Sequence, residues 1–361
     1  MIPCKNCGKP AARAVGYCYD CVKKGYLETA METHRKWRSK LRLPPEPPKQ
    51  GLKCSTCVNE CKIPKGSTGY CGIWRNVGHL KADFKVYAYL DPLPTNCVST
   101  PVCPAATSRG FPFFTDTEGP EYGYYNLAVF AYGCTLDCLY CQNWEHKTDL
   151  FKVKEANYQE LLNMALDPKV RCICYFGGDP TPQAPHFIRL SREVLSKTTS
   201  IKRICWETNG LANPNIMKLM AQLSLESGGI VKIDWKAWNP NVYKALTGID
   251  GEKALKRLKE NAKMVAEMGK DRPDPPLLVV SLLLVPLYIT LEEVRGVAEF
   301  VASLENVPLV LLGFHPSWLM SDLPTTSRKH AEEAFRVARE AGVKEVYIEN
   351  VHLLSDAVYP F

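Results

Sequence analysis

From about residue 123 onward, short apolar runs alternate with stretches of helical periodicity. Strands are predicted at 125–132, 170–176, 202–208, 230–236, 277–285, 308–314 and 345–351. Between them, residues 155–166, 185–198, 213–225, 252–268, 290–303 and 327–341 repeat their apolar positions with a helix period. A repeated β-α unit calls for parallel strands joined by helical crossovers, arranged as a closed or partial barrel or as an open doubly wound sheet. Six main strands favour an α/β fold of the partial (β/α)6 barrel kind. In such a barrel the chemistry sits at the C-terminal ends of the strands, so each candidate motif should directly follow one.

Ahead of the barrel the pattern divides differently. Residues 1–42 form a basic N-terminal module, 43–51 (LPPEPPKQG) a semi-rigid proline-rich linker, 52–122 a second cysteine-rich module and 123–361 the barrel. Cys4, Cys7, Cys18 and Cys21 make two C-x2-C knuckles ten residues apart, the spacing of a closed tetrahedral Zn2+ site in a segment too short to fold without metal. Residues 24–42 read as a basic helix. In the second module Cys54, Cys57, Cys61 and Cys71 are separated by turn-forming glycines. Their thiolates suit either zinc or an auxiliary iron-sulfur cluster. Cys97 and Cys103 follow within the same 50 residues, as further ligands or as packing cysteines.

The strand-end test is met repeatedly. Cys134, Cys138 and Cys141 follow the first strand as C-x3-C-x2-C. Three thiolates with no fourth at matching spacing suit a [4Fe-4S] cluster that keeps one iron open. Tyr140 adds an aromatic ring against which a purine could pack. Gly177, Gly178 and Asp179 follow the second strand, Glu207 and Asn209 end the third, Asp234 and Lys236 end the fourth, and His315 follows the sixth. Each has a plainer reading: a common turn for the glycines, a salt bridge for Asp234 with Lys236, a core histidine for His315. Cys172, Cys174 and Cys205 read as buried small apolar residues.

Composition narrows the class. The chain has 361 residues, 46% of them apolar, and its longest apolar run, at 277–287, is too short to span a bilayer. No signal-peptide core is present at the N-terminus. With sixteen cysteines, this predicts a cytoplasmic protein that binds metals rather than one stapled by disulfides, and it predicts no membrane partner. The net charge of +7 is concentrated: residues 1–53 carry twelve Lys and Arg against four Asp and Glu. That module either staples the N-terminus or presents a basic face to RNA.

The loop GCTLDCLYCQNWE, with YFGGDPTPQ, GSTGYCGIWRN and FHPSWLMSDLPTT, resembles the radical S-adenosylmethionine (SAM) enzymes over roughly residues 52–361. The likeness is greatest to the pyruvate formate-lyase activating enzymes and the AmmeMemoRadiSam-system proteins. The resemblance implies a [4Fe-4S] cluster, SAM, and an electron donor such as ferredoxin or flavodoxin. It implies reductive cleavage of SAM to a 5′-deoxyadenosyl radical that takes hydrogen from a substrate. Under it Gly177, Gly178 and Asp179 meet the methionine ammonium, Glu207 or Asn209 the ribose, and Lys236 the carboxylate. Asp234, Lys236 and His315 hold the cofactor as their counterparts do in activating enzymes. Asp179 stands where glutamate is usual, and the N-terminal knuckles with Cys97 and Cys103 lie outside the simple activating-enzyme plan. Three functions are compatible with these residues: hydrogen abstraction from a protein or peptide, modification of RNA docked by the basic module, and a non-catalytic cluster- and zinc-binding or electron-transfer module.

Overall fold

The computed structural model describes residues 1–95, 99–272 and 274–361. Its centre is one eight-stranded sheet: β1 (Val86–Pro92), β2 (Tyr125–Ala131), β3 (Val170–Gly177), β4 (Arg203–Thr208), β5 (Val231–Trp235), β6 (Leu278–Leu284), β7 (Leu309–Gly313) and β8 (Val346–Glu349). The strands lie side by side in chain order. From β2 to β8 all neighbours are parallel, and β1 closes one edge antiparallel to β2.

Near-continuous apolar runs such as LVVSLLL in β6 are what a strand buried on both faces requires. Helices cover one face: α2 (Tyr158–Leu166), α3 (Ala184–Lys197), α4 (Pro214–Ser227), α5 (Pro240–Thr247), α6 (Gly251–Gly269), α7 (Leu291–Ala302) and α8 (Arg328–Glu340). They are preceded by α1 (Glu28–Lys40) in the N-terminal module. Side chains of Asn157, Asn213, Asn239, Asp250 and Ser327 accept from the first-turn amides of their helices, which fixes where each crossover begins. The other face lines a single cavity whose walls run from Tyr89 on β1 to Glu349 on β8, with residues from every strand between. A sheet whose two edges border one cavity is curled into a partial barrel.

The predicted strands and six predicted helices are present within a few residues. The sheet is larger than six strands because 346–349 joins as a seventh parallel member and Val86–Pro92 as an eighth. Strand β1 escapes the apolar-run criterion because it is only partly buried, with Tyr87 and Tyr89 exposed. The short helix Pro240–Thr247 is likewise additional.

The cysteine-rich segments are tied into this body. Residues 2–3 pair with 10–11, and 52–53 with 62–63, as two-residue ribbons that form the knuckles. Tyr288 of the barrel accepts from Ala12 N (2.9 Å) and donates to Tyr17 O (2.9 Å), while Asn241 donates to Lys23 O (3.1 Å). No helix among the described residues is long and apolar enough to cross a membrane.

Candidate active site and metal centres

The loop after β2 is folded by backbone contacts on three sides. Asp137 N donates to Thr247 O (2.9 Å), Leu139 N to Leu246 O (3.0 Å), and Leu319 N to Leu139 O (3.0 Å). A Cβ on Gly133, at φ +79°, would lie 2.7 Å from Cys71 O, so the second cysteine module packs directly behind Cys134. Cys134, Cys138 and Cys141 all line the barrel cavity, which encloses about 360 Å³. Burial pushes all three thiols upward, Cys138 to about 11, while Lys236 and Lys147 pull in the opposite direction at Cys138 and Cys141. Leu136 N donates to Cys134 Sγ at 3.3 Å. Thiols that are costly to ionise alone, yet supplied with N–H and cationic neighbours, are suited to ligate iron, whose charge offsets theirs. The donor set fits a cluster with three cysteine ligands. The hydroxyls of Tyr140 and Tyr243 and His146 Nδ1 are buried here without a protein partner, which leaves polar atoms for a bound group to satisfy.

The glycine motif has a packing role. A Cβ at Gly177 would lie 2.5 Å from Ala131 N, and one at Gly178 2.2 Å from Gly133 O and 2.7 Å from His146 Nδ1. Both glycines therefore let the β3 loop press against the cluster loop. Asp179 is almost fully buried. Its Oδ1 accepts from Thr208 Oγ1 (2.7 Å) and Asn209 N (2.9 Å), and its Oδ2 from Thr181 N (3.1 Å). It thus joins the β3 and β4 loops. Asn209 Nδ2 donates to Thr135 Oγ1 (2.6 Å) and lies 3.8 Å from Cys134 Sγ.

On the opposite wall Lys232 bridges Glu207 (2.6 Å) and Asp234 (3.6 Å). Asp234 is also 3.5 Å from Lys236 and accepts from Ser281 Oγ. Burial works against the charged form of Lys236, but Asp234 and the thiols of Cys138 and Cys134 together hold its pKa above the usual lysine value. Glu207, Asn209, Asp234, Lys236 and Tyr140 all border the cavity. Tyr140 is buried, with its ring edge-on to Phe314 at 6.4 Å. His315 stands apart: it is exposed, near Ser317 Oγ (3.4 Å), and does not border the cavity.

Two other cysteine groups behave differently. Among the described residues, Cys4, Cys7, Cys18 and Cys21 are the one set of three or more potential ligands whose atoms all lie within 4.8 Å of one another. Cys7 Sγ is 3.4 Å from Cys18 Sγ and 3.7 Å from Cys21 Sγ. A tetrahedron with metal-sulfur bonds of about 2.3 Å has edges of about 3.8 Å, so this knuckle could hold a single metal ion. Cys54, Cys57, Cys61 and Cys71 are gathered less tightly. Cys54 N donates to Cys61 O (2.7 Å), and burial pushes the Cys57 thiol upward, with Cys71, Cys61 and Cys54 adding to the shift. Cys103 packs in the sheet's second apolar cluster with Cys172, Cys174 and Cys205. Cys97 lies outside the described residues.

Sequence reasoning missed several residues at the site. His146 Nε2 sits 3.6 Å from Cys141 Sγ, and burial pushes its pKa down to about 3, so it is neutral. Asp137, between Cys134 and Cys138, is buried against Lys147 (2.8 Å), His34 (2.9 Å) and Arg38 (3.6 Å). The available signals were a carboxylate inside the C-x3-C gap and the i, i+4 spacing of His34 and Arg38 on α1.

Residues 128–301 match the model of the radical SAM superfamily. An uncharacterized protein of Methanocaldococcus jannaschii is 25% identical over 306 residues, which cover 83% of this chain and 81% of that protein. Similar solved structures include SuiB of Streptococcus suis bound to the precursor peptide SuiA. It is 15% identical, with 62% of this chain and 48% of that chain covered and a TM-score of 0.44. A domain of the pyruvate-formate lyase-activating enzyme from Bacteroides vulgatus is 19% identical, covering 49% and 98%, with a TM-score of 0.38. The chain spans about half the length of the SuiB chain.

Proposed function

We propose, on the premise that residues 128–301 of this chain are a radical SAM domain, that the protein abstracts hydrogen from a protein or peptide in the manner of an activating enzyme. Cys134, Cys138 and Cys141 would hold the [4Fe-4S] cluster, with SAM beside it. When bound and reduced by an external donor, the two would supply 5′-deoxyadenosyl radical chemistry. In this reading Lys236 pairs with the carboxylate as a point charge, Glu207 or Asn209 bonds the ribose hydroxyls, and the enclosing strands exclude water. Asp179 acts by fixing Thr208 and Asn209 rather than by meeting the ammonium itself. Cys4, Cys7, Cys18 and Cys21 hold Zn2+ as a structural ion, and Cys54, Cys57, Cys61 and Cys71 hold a second metal or an auxiliary cluster. A cytoplasmic setting with ferredoxin or flavodoxin as reductant suits this chemistry.

The observation that carries the substrate class is charge. Besides the buried and internally bonded Asp179, the cavity is bordered by four carboxyl side chains, Asp91, Glu207, Asp234 and Glu349, against two lysines, Lys232 and Lys236, in a chain whose net charge is +7. SAM brings a net positive charge to such a site, and a neutral or basic polypeptide can follow it, whereas a polyanion is repelled. The basic N-terminal module supports the same choice. Four of the ten cationic side chains in residues 1–42, Lys9, Lys23, Arg35 and Arg38, are paired with carboxylates of this chain.

The test is an anaerobic assay of reconstituted, dithionite-reduced protein with SAM, following 5′-deoxyadenosine in the wild type and in Cys138→Ala. Product that depends on Cys138, and that is stimulated by basic peptides but not by RNA, is expected. A cluster-loaded wild type that forms no 5′-deoxyadenosine would defeat the enzymatic reading and favour a non-catalytic role. Stimulation by RNA alone would overturn the substrate class.

A further inference from the structure

We propose that helix α1 of the N-terminal module is a clamp that sets the shape and charge environment of the cluster loop, with His34 and Arg38 acting as positioning residues through Asp137. The inference rests on the assignment of the cluster to Cys134, Cys138 and Cys141. Asp137 lies inside the C-x3-C segment, one residue before Cys138, and is only 5% exposed. His34 and Arg38 are one helical turn apart on α1, 1% and 2% exposed, more than ninety residues earlier in the chain. Side chains of a basic surface helix do not normally reach such a depth. These two do so to meet one carboxylate.

Both nitrogens of His34 are used: Nδ1 faces Asp137 Oδ2 at 2.9 Å and Nε2 faces Ala245 O at 3.0 Å. The ring fits because Gly248 ends α5 without a side chain, since a Cβ there would lie 2.8 Å from His34 Nδ1. The same helix end receives Asp137 N on Thr247 O, so loop, helix α5 and helix α1 converge at one point. Arg38 lies over the Tyr70 ring, 3.4 Å from its centroid, donates to Tyr70 O and Pro44 O (2.7 Å), and reaches Asp137 at 3.6 Å. Tyr70 precedes Cys71, so Arg38 also joins the second cysteine module to the cluster loop. A second contact lies at the loop's exit: Trp37 of α1 packs edge-on against Trp318 (5.3 Å), and Trp318 stacks on Trp144 (5.4 Å), three residues after Cys141.

The charges in this cluster are unequal. Arg38 and Lys147 supply two fixed cations to one carboxylate, and Lys147 Nζ also donates to Cys138 O at 3.3 Å. Removing one member strands a buried partner, which costs far more than loss of a surface pair. Two effects follow: the loop loses its anchor, and the field at the cysteines changes with the sign of the charge removed.

The experiment compares wild type, Arg38→Met and Asp137→Asn after anaerobic reconstitution. It reads iron and sulfide per chain and the cluster midpoint potential by EPR-monitored titration. Metal bound at the N-terminal knuckle and cooperative unfolding serve as checks on folding. Both variants are expected to hold at least twofold less cluster. Arg38→Met, having lost a cation, shifts the midpoint to more negative values, and Asp137→Asn, having lost an anion, shifts it to more positive values. A residue with only a structural role would not produce shifts of opposite sign. His34→Gln, which keeps a donor, retains more cluster than His34→Leu and provides the same test should the charge variants fail to fold. Folded variants with wild-type iron content and unchanged midpoint overturn the clamp while leaving the radical SAM assignment intact. A wild type that binds no cluster overturns both.

Discussion

A buried carboxylate can be a ligand or a brace, and its hydrogen bonds decide which. Asp179 donates nothing and accepts three bonds from its own chain, so its charge is spent on loop geometry. A similar argument at His330 yields a pH prediction. Its Nδ1 is 3.2 Å from Tyr359 Oη, which accepts from Ser327 N at 2.7 Å. Nε2 is buried without a protein partner, and Phe361 stacks on the imidazole at 4.6 Å. Burial pushes the pKa down from the ordinary 6.5 to about 4. Because the folded value is depressed, the unfolded chain takes up a proton first as pH falls. Stability is therefore fully present above 6.5, declines between 6.5 and 4, and has lost this contribution below 4. Denaturant unfolding at pH 7 and pH 5 should differ by up to ~2 kcal/mol from this group. His330→Leu should remove that part of the pH slope, and an unchanged slope would show that the ring titrates alike in the folded and unfolded chain.

At the level of elements, edge strand β1 stands out. Tyr87 is 60% exposed and Tyr89 borders the cavity, and both rings continue through Phe130 to Phe176, with Phe130 and Phe176 in edge contact at 4.4 Å. An edge strand carrying an aromatic ladder into the cavity mouth suits an extended polypeptide, which can pair with the strand and pack on the rings. Tyr87→Ser is expected to raise the peptide concentration needed for half-maximal stimulation about tenfold, roughly the worth of one aromatic contact. The peptide-independent rate of 5′-deoxyadenosine formation should stay unchanged, and a fall in that basal rate would mean the strand supports the cofactor instead. This strand was legible only as the alternation VYAYLD, which is weak beside the seven apolar runs of the buried parallel strands. The barrel and its strand-end motifs could be read because local composition sets them. The clamp of His34 and Arg38 on Asp137 could not, because no local pattern specifies which distant carboxylate a basic helix will reach. The packing duty of Gly178 was hidden for the same reason, since the atoms that exclude a Cβ belong to Gly133 and His146.

Across the whole molecule, the N-terminal module behaves as part of the barrel wall. Arg13 N donates to Asp322 Oδ2 (3.0 Å), Tyr19 Oη to Glu293 Oε1 (3.1 Å), and Glu293, itself almost fully buried, accepts from Asn239 N (3.0 Å) at the start of α5. A metal bound at this knuckle would order a segment whose contacts reach helices α5 and α7 and the loop after β7. If binding at Cys4, Cys7, Cys18 and Cys21 is coupled to folding of that segment, its free energy stabilises the whole chain. Stripping this metal with a chelator, before any cluster is reconstituted, should lower the midpoint of a single thermal transition, on the order of 5 °C. Subsequent cluster assembly should be impaired, because α1 would no longer be held against Asp137. A chain that melts at its original temperature after metal loss, with only residues 1–42 becoming protease-sensitive, would instead identify an appendage. The basic character of the segment would then need a partner outside the chain. With His34 and Arg38 almost fully buried and four cations of residues 1–42 paired, coupled melting is the outcome this packing dictates.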